Sequence, residues 1–294
     1  MNAQALPTAA LAFAGVAVAP SVEGPAPIEA LGCFLAGGPS QRPATAVAHD
    51  VAQAHGASLT ALAPVDPFVS DRPSRVRDFC RVVFTNVFHD VMRRSARRAI
   101  QDFERQNAER RIGARRIISG AARWSLRAAA AQQTLVVAPA WVGLDGVAAT
   151  VENEAAAVLA RRARIPVLRV ASRPLDADKV LLLTDGASRH CRLARTFVKL
   201  GLWRKARIVI LPVGGDGSSA DSACEQRNVL RMHGRNAAVL PPLDGDAIAD
   251  LETLARQFHV AAVDRRLARN RVFGSPGNRA LRAVADRVPA ILLL

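Results

Sequence analysis

Apolar residues gather along this chain in two alternating ways: short, nearly unbroken runs, and longer stretches in which they return every three or four positions. The runs fall at 30–36, 58–65, 134–137, 167–170, 179–184, 207–213, 237–240, 259–263 and 290–294, with a weaker one at 116–119. Runs of this length predict strands buried on both faces, as in a parallel sheet. Helical spacing between them predicts helices over 44–55, 123–132, 150–164, 191–200, 223–233, 246–257 and 279–287. A longer one over 74–111 carries the stripe Val76, Phe79, Val83, Val87 and Val91. Beyond Met92 that helix turns arginine-rich, which predicts a solvated or partner-facing end.

The order occurs twice. One series opens with an apolar run into Gly37-Gly38-Pro39-Ser40, the other with an apolar run into Asp185-Gly186-Ala187-Ser188. Each closes on a basic helix, a branched residue, a proline and a strand: Ile165-Pro166 in the first, Val288-Pro289 in the second. With 294 residues, 50% of them hydrophobic, the chain can bury two modest cores. The expected organisation is an Ala-rich extension over 1–26, a domain over 27–172, a linker, and a second domain over 179–294.

Composition narrows the function classes. The net charge of +15 is nearly all arginine, since Lys179, Lys199 and Lys205 are the only lysines. Such a surface attracts anions without specifying them. Aromatic residues make up 4% and tyrosine is absent, so the stacking platforms of single-strand nucleic-acid binders are missing. The four cysteines, Cys33, Cys80, Cys191 and Cys224, form no C-x-x-C pair, and neither a zinc site nor a disulfide framework is expected. No charged side chain precedes Glu23, and the apolar run 9–19 resembles a signal-peptide core. It lacks the basic start and is too short to span a bilayer, so the expectation is a cytoplasmic protein with no membrane partner.

Candidate chemistry concentrates near the end. Ser275 suits an N-cap, Pro276 the first helical position, and Gly274 and Gly277 admit close backbone approach. Arg279 and Arg282 lie in the opening turns and no acid comes before Asp286, so free amides there favour an anion. In the first series the corresponding helix is expected to begin near Thr150, with Glu152 and Glu154 in its opening turn. A phosphate would meet like charge there. Asp185, His190 and Cys191 stand close together, yet Cys191 has no assigned base, and His49, His55, His89, His233 and His259 show no metal-ligand spacing. No catalytic residue and no metal site is expected.

At these residues the chain resembles the universal stress protein family in its tandem form. Asp185-Gly186-Ala187-Ser188, the strand ending Leu211-Pro212-Val213 and Phe273-Gly274-Ser275 carry the resemblance. It implies two tandem copies of a five-stranded parallel sheet with helices on both faces, a Rossmann-like α/β fold. ATP-binding members carry G-x2-G-x9-G-[S/T]. Ten residues before Gly274 this chain has Asp264, and three before that Ala261, so only the closing Gly-Ser is kept. The resemblance assigns Asp185 to the nucleoside, Val213 to the adenine backbone contact, and Gly274, Ser275, Gly277 and Asn278 to the phosphate-facing turn. In the first copy Gly37 stands where the acid should be.

The expectation is therefore a non-enzymatic stress-response module with at most one adenine-nucleotide site, in the second domain, and ATP as its ligand. The rival is a nucleotide-free scaffold whose Arg-rich first domain docks an acidic partner or nucleic acid. An enzyme of the adenine-nucleotide α-hydrolase-like group is a third reading without a catalytic motif. In the family the last strand is where two copies pair. Here the strands 167–170 and 290–294 should meet within one chain, and a homodimer through the 79–92 helix stays open.

Overall fold

The computed structural model of the protein describes residues 28–64, 94, 97–110, 115–120, 123–143, 149, 154–172, 177–184, 191–213, 217–242, 248–264 and 276–294. The first half contains β1 (Ala30–Phe34), α1 (Gln41–His55), β2 (Ser58–Pro64), a helical stretch α2 (97–110), β3 (Arg115–Gly120), α3 (Arg123–Ala131), β4 (Leu135–Pro139), α4 (Ala155–Arg162) and β5 (Val167–Val170). The second contains β6 (Lys179–Thr184), α5 (Arg192–Leu200), β7 (Arg207–Pro212), α6 (Gly217–Met232), β8 (Ala237–Val239), α7 (Ile248–Ala255), β9 (Val260–Val263), α8 (Pro276–Ala285) and β10 (Ala290–Leu293).

These strands form a ten-stranded sheet in the order β3-β2-β1-β4-β5-β10-β9-β6-β7-β8. Within each half all pairings are parallel, and the order 3-2-1-4-5 is repeated in mirror image across the seam. The seam is antiparallel, with Ala290 opposite Val170 and Leu293 opposite Val167. The fold is thus two tandem five-stranded α/β units joined into one sheet. Pro166 and Pro289, which cannot donate to a ladder, stand just ahead of β5 and β10. The carbonyl of Pro289 accepts from the amides of Ala171 and Ser172, so the turn into β10 also closes the end of β5.

Period-two alternation sorts each strand onto two faces, and each face has its own core. Leu181, Leu183, Val209, Leu211, Ile291 and Leu293 pack with α3, α4, α7 and α8. Val180, Leu182, Ile208, Ile210, Leu292 and Leu294 pack with α1, α2, α5 and α6. Both clusters run through both halves. The helices end as their sequence suggests: Gly56 after α1 and Gly201 after α5 adopt φ 64°, the left-handed conformation glycine takes without strain.

Several boundaries differ from expectation. α6 starts at Gly217, six residues before the expected 223, because the mostly polar segment 217–222 continues the helix ahead of its main apolar stripe. α4 starts at Ala155, which places Glu154 at the N-cap instead of inside the first turn. The stripe Val76 to Val91 and the extension 1–26 lie outside the described residues, as do Glu152 and His190. Among the described residues no helix is long and apolar enough to cross a membrane.

Candidate ligand site and its filled counterpart

In an open parallel sheet the crevice for a ligand lies beyond the carboxyl ends of the strands, where strand order reverses. Each half has one such point: between β1 and β4 in the first, and between β6 and β9 in the second.

In the second half Thr184 ends β6, fully buried, and its hydroxyl accepts from Gln226 Nε2 of α6 at 2.9 Å. Val213 follows β7, is buried, and donates its N–H to the Thr184 carbonyl at 2.7 Å, which commits that amide to the sheet. Asp264 follows β9 and is also buried. Pro276 is the first residue of α8, as a favourable first position requires, and Gly277 and Asn278 are in that first turn. Asp185, Gly274 and Ser275 lie outside the described residues. Of the expected site residues, Val213 is therefore placed beside the β6 end, and Gly277 and Asn278 at the start of α8.

The first half fills the same place with its own side chains. Gln41 opens α1, and its Oε1 accepts from the amides of Ala36 (2.9 Å) and Gly37 (3.0 Å). Its Nε2 donates to the Phe34 carbonyl (3.3 Å) and to Thr45 Oγ1 (3.0 Å). Both hydrogens and both lone-pair sites of the amide are used, and the β1 exit is tied shut.

Glu154 does not cap α4. Its carboxylate turns to Arg169 of β5, which donates from Nε to Oε2 (2.6 Å) and from Nη2 to Oε1 (3.0 Å). The Trp141 amide also donates to Oε1, at 2.7 Å. The Arg169 guanidinium lies 4.4 Å from the Trp141 ring centroid, and its Nη1 donates to the Ala285 carbonyl at the end of α8 (3.3 Å). Side-chain exposure is 1% for Arg169 and 0% for Glu154. The α4 amide at Ala155 is itself taken by the Val142 carbonyl at 2.7 Å. For Glu154 the expectation that its carboxylate occupies the dipole end of α4 is thus corrected, since it answers an arginine while a backbone carbonyl answers the helix; Glu152 lies outside the described residues.

Sequence reading missed Arg169, Trp141, Gln41 and Gln226. The one signal available was Arg169 itself, a charge inside the otherwise apolar run Val167–Val170. Cys191, at φ 52° before α5, donates its thiol toward Glu225 Oε2 at 3.7 Å. Burial and then the Glu225 carboxylate raise that thiol, the opposite of an activated nucleophile. Burial likewise pushes the Cys33 thiol up to about 12. Among the described residues no group of three His, Cys, Asp or Glu could hold a metal ion.

The sequence matches no protein-family model and no curated protein. Solved structures align with most of its length. A universal stress protein from Archaeoglobus fulgidus DSM 4304 superposes with a TM-score of 0.61 at 13% identity, over 90% of this chain and 95% of that one. A functionally unknown protein from Pseudomonas aeruginosa PAO1 gives a TM-score of 0.48 at 14% identity, over 91% and 92%. At such identity the likeness is one of architecture: the chain shares the α/β fold of that universal stress protein.

Proposed function

We propose that this protein is a non-enzymatic regulatory module of the stress-response type that takes at most one adenine nucleotide, in its second half. The observation that carries the reading is the contrast between equivalent positions. Glu154 stands twelve residues before Pro166, and Gly277 twelve before Pro289; Arg169 stands three after its proline, and Leu292 three after the other. Where the first half brings a buried ion pair, the second brings a glycine and a leucine. Asp185, Val213, Gly274, Ser275, Gly277 and Asn278 are the residues we assign to the nucleotide. Ligand binding acts by biasing states it distinguishes. Calorimetric titration of the full chain with ATP tests this. One equivalent per chain is expected; two equivalents overturn the reading, and none removes the assigned nucleotide residues. Absence of binding together with capture of an acidic polymer favours the scaffold alternative, for which the exposed arginines Arg97 and Arg98 of α2 speak.

A further inference from the structure

We propose that the first half is a carboxylate-binding site that carries its own ligand. The receptor is the fork of Arg169, the amide of Trp141 and the indole face beneath the guanidinium; the resident ligand is the side chain of Glu154. Two parallel N–H donors of one guanidinium meet the two oxygens of one carboxylate at 2.6 and 3.0 Å, the arrangement that recognises a planar carboxylate over a tetrahedral anion. A third donor comes from a backbone amide on another segment, and Trp141 adopts φ 65° there, a conformation an L residue seldom takes. The guanidinium is held from behind by the Ala285 carbonyl of the other half. Receptor and ligand thus come from different elements, β5 and the loop after β4 on one side and the residue before α4 on the other. Tethering gives Glu154 a high effective concentration, so free anions do not displace it in the intact protein. The inference stands whether or not the second half takes a nucleotide.

Glu154→Ala removes a methylene and a carboxylate, the atoms of acetate, and leaves the receptor in place. Thermal unfolding of the full chain is followed in sodium acetate, sodium phosphate and sodium chloride at equal ionic strength and neutral pH. The expected result is a lowered melting temperature for the variant in chloride, raised along a saturation curve by acetate and less by phosphate, with the wild type indifferent to the choice. If the variant is unfolded in chloride, far-ultraviolet circular dichroism reads whether acetate restores the fold. Glu154→Ala/Arg169→Leu should lose the acetate response. No acetate response in the single variant, an equal one in the wild type, or one retained in the double variant overturns the proposal.

Discussion

Arg169 and Glu154 lie beyond the reach of water, so neither can be left alone. Removing one partner of a buried pair strands the other, at a cost of about 3–5 kcal/mol, whereas replacing both with apolar groups is often close to neutral. Arg169→Ala is expected to cost that much in denaturant unfolding, and Glu154→Leu/Arg169→Leu to recover more than half of it. His49 poses a milder version of the problem. It is fully buried on α1, stacks on Phe103 of α2 at 5.4 Å between ring centroids, and shares a hydrogen at 2.6 Å between its Nε2 and Asn107 Oδ1. Burial, the largest influence, lowers its proton affinity; Arg110, itself paired with Asp50 at 2.5 Å, lowers it further against the opposing pull of Asn107, Thr45 and Asp50. A depressed folded pKa means that the unfolded chain binds the proton more readily. Stability is therefore whole above the ordinary histidine pKa of about 6.5 and declines as pH falls below it. His49→Gln should flatten the melting temperature over that window; an unchanged pH slope in the variant removes His49 as its source.

Strands and helices were legible wherever burial alone decides. Runs such as Val180–Leu183 and Ile208–Leu211 could only be strands covered on both sides, and Pro166 and Pro289 marked where β5 and β10 enter. The antiparallel joining of those two strands, with Ile291 opposite Arg169, is a property of edges that meet. The self-filled site was not legible, because Glu154 and Arg169 are fifteen residues apart on different elements, and nothing local in either pattern names the other. Gln41 escaped for a similar reason: a glutamine at a helix start reads as solvated until a loop folds over it. Boundaries failed where polar residues extend a helix past its apolar stripe, as in α6. At this scale the start of α8 is the element to perturb. Gly277→Glu copies the residue that the first half uses at the matching position, but without an arginine at Leu292 to receive it. The variant should lose ATP affinity by at least tenfold in calorimetry while keeping the far-ultraviolet spectrum of the parent. Unchanged affinity would place any nucleotide elsewhere.

Seen whole, the chain has its last residues near the middle of its sheet. Ala290–Leu293 pair with β5 on one side and β9 on the other, and Ala290, Ile291 and Leu292 have no exposure at all. Deleting 290–294 opens two apolar edges at once, which is how unpaired strands template aggregation. Loss of solubility, or a larger mass by light scattering, is expected; a soluble protein of unchanged mass and fold would show that the halves hold together without the seam.

The reversal at that seam also decides direction. Every strand of the first half points one way and every strand of the second the other, so the two crevices at the carboxyl ends open on opposite rims of one sheet. A partner large enough to cover one mouth leaves the other uncovered. The protein thus has two ends that differ chemically, one holding the buried Glu154–Arg169 pair and one with Pro276 and Gly277 at its helix start, so the two rims are not equivalent.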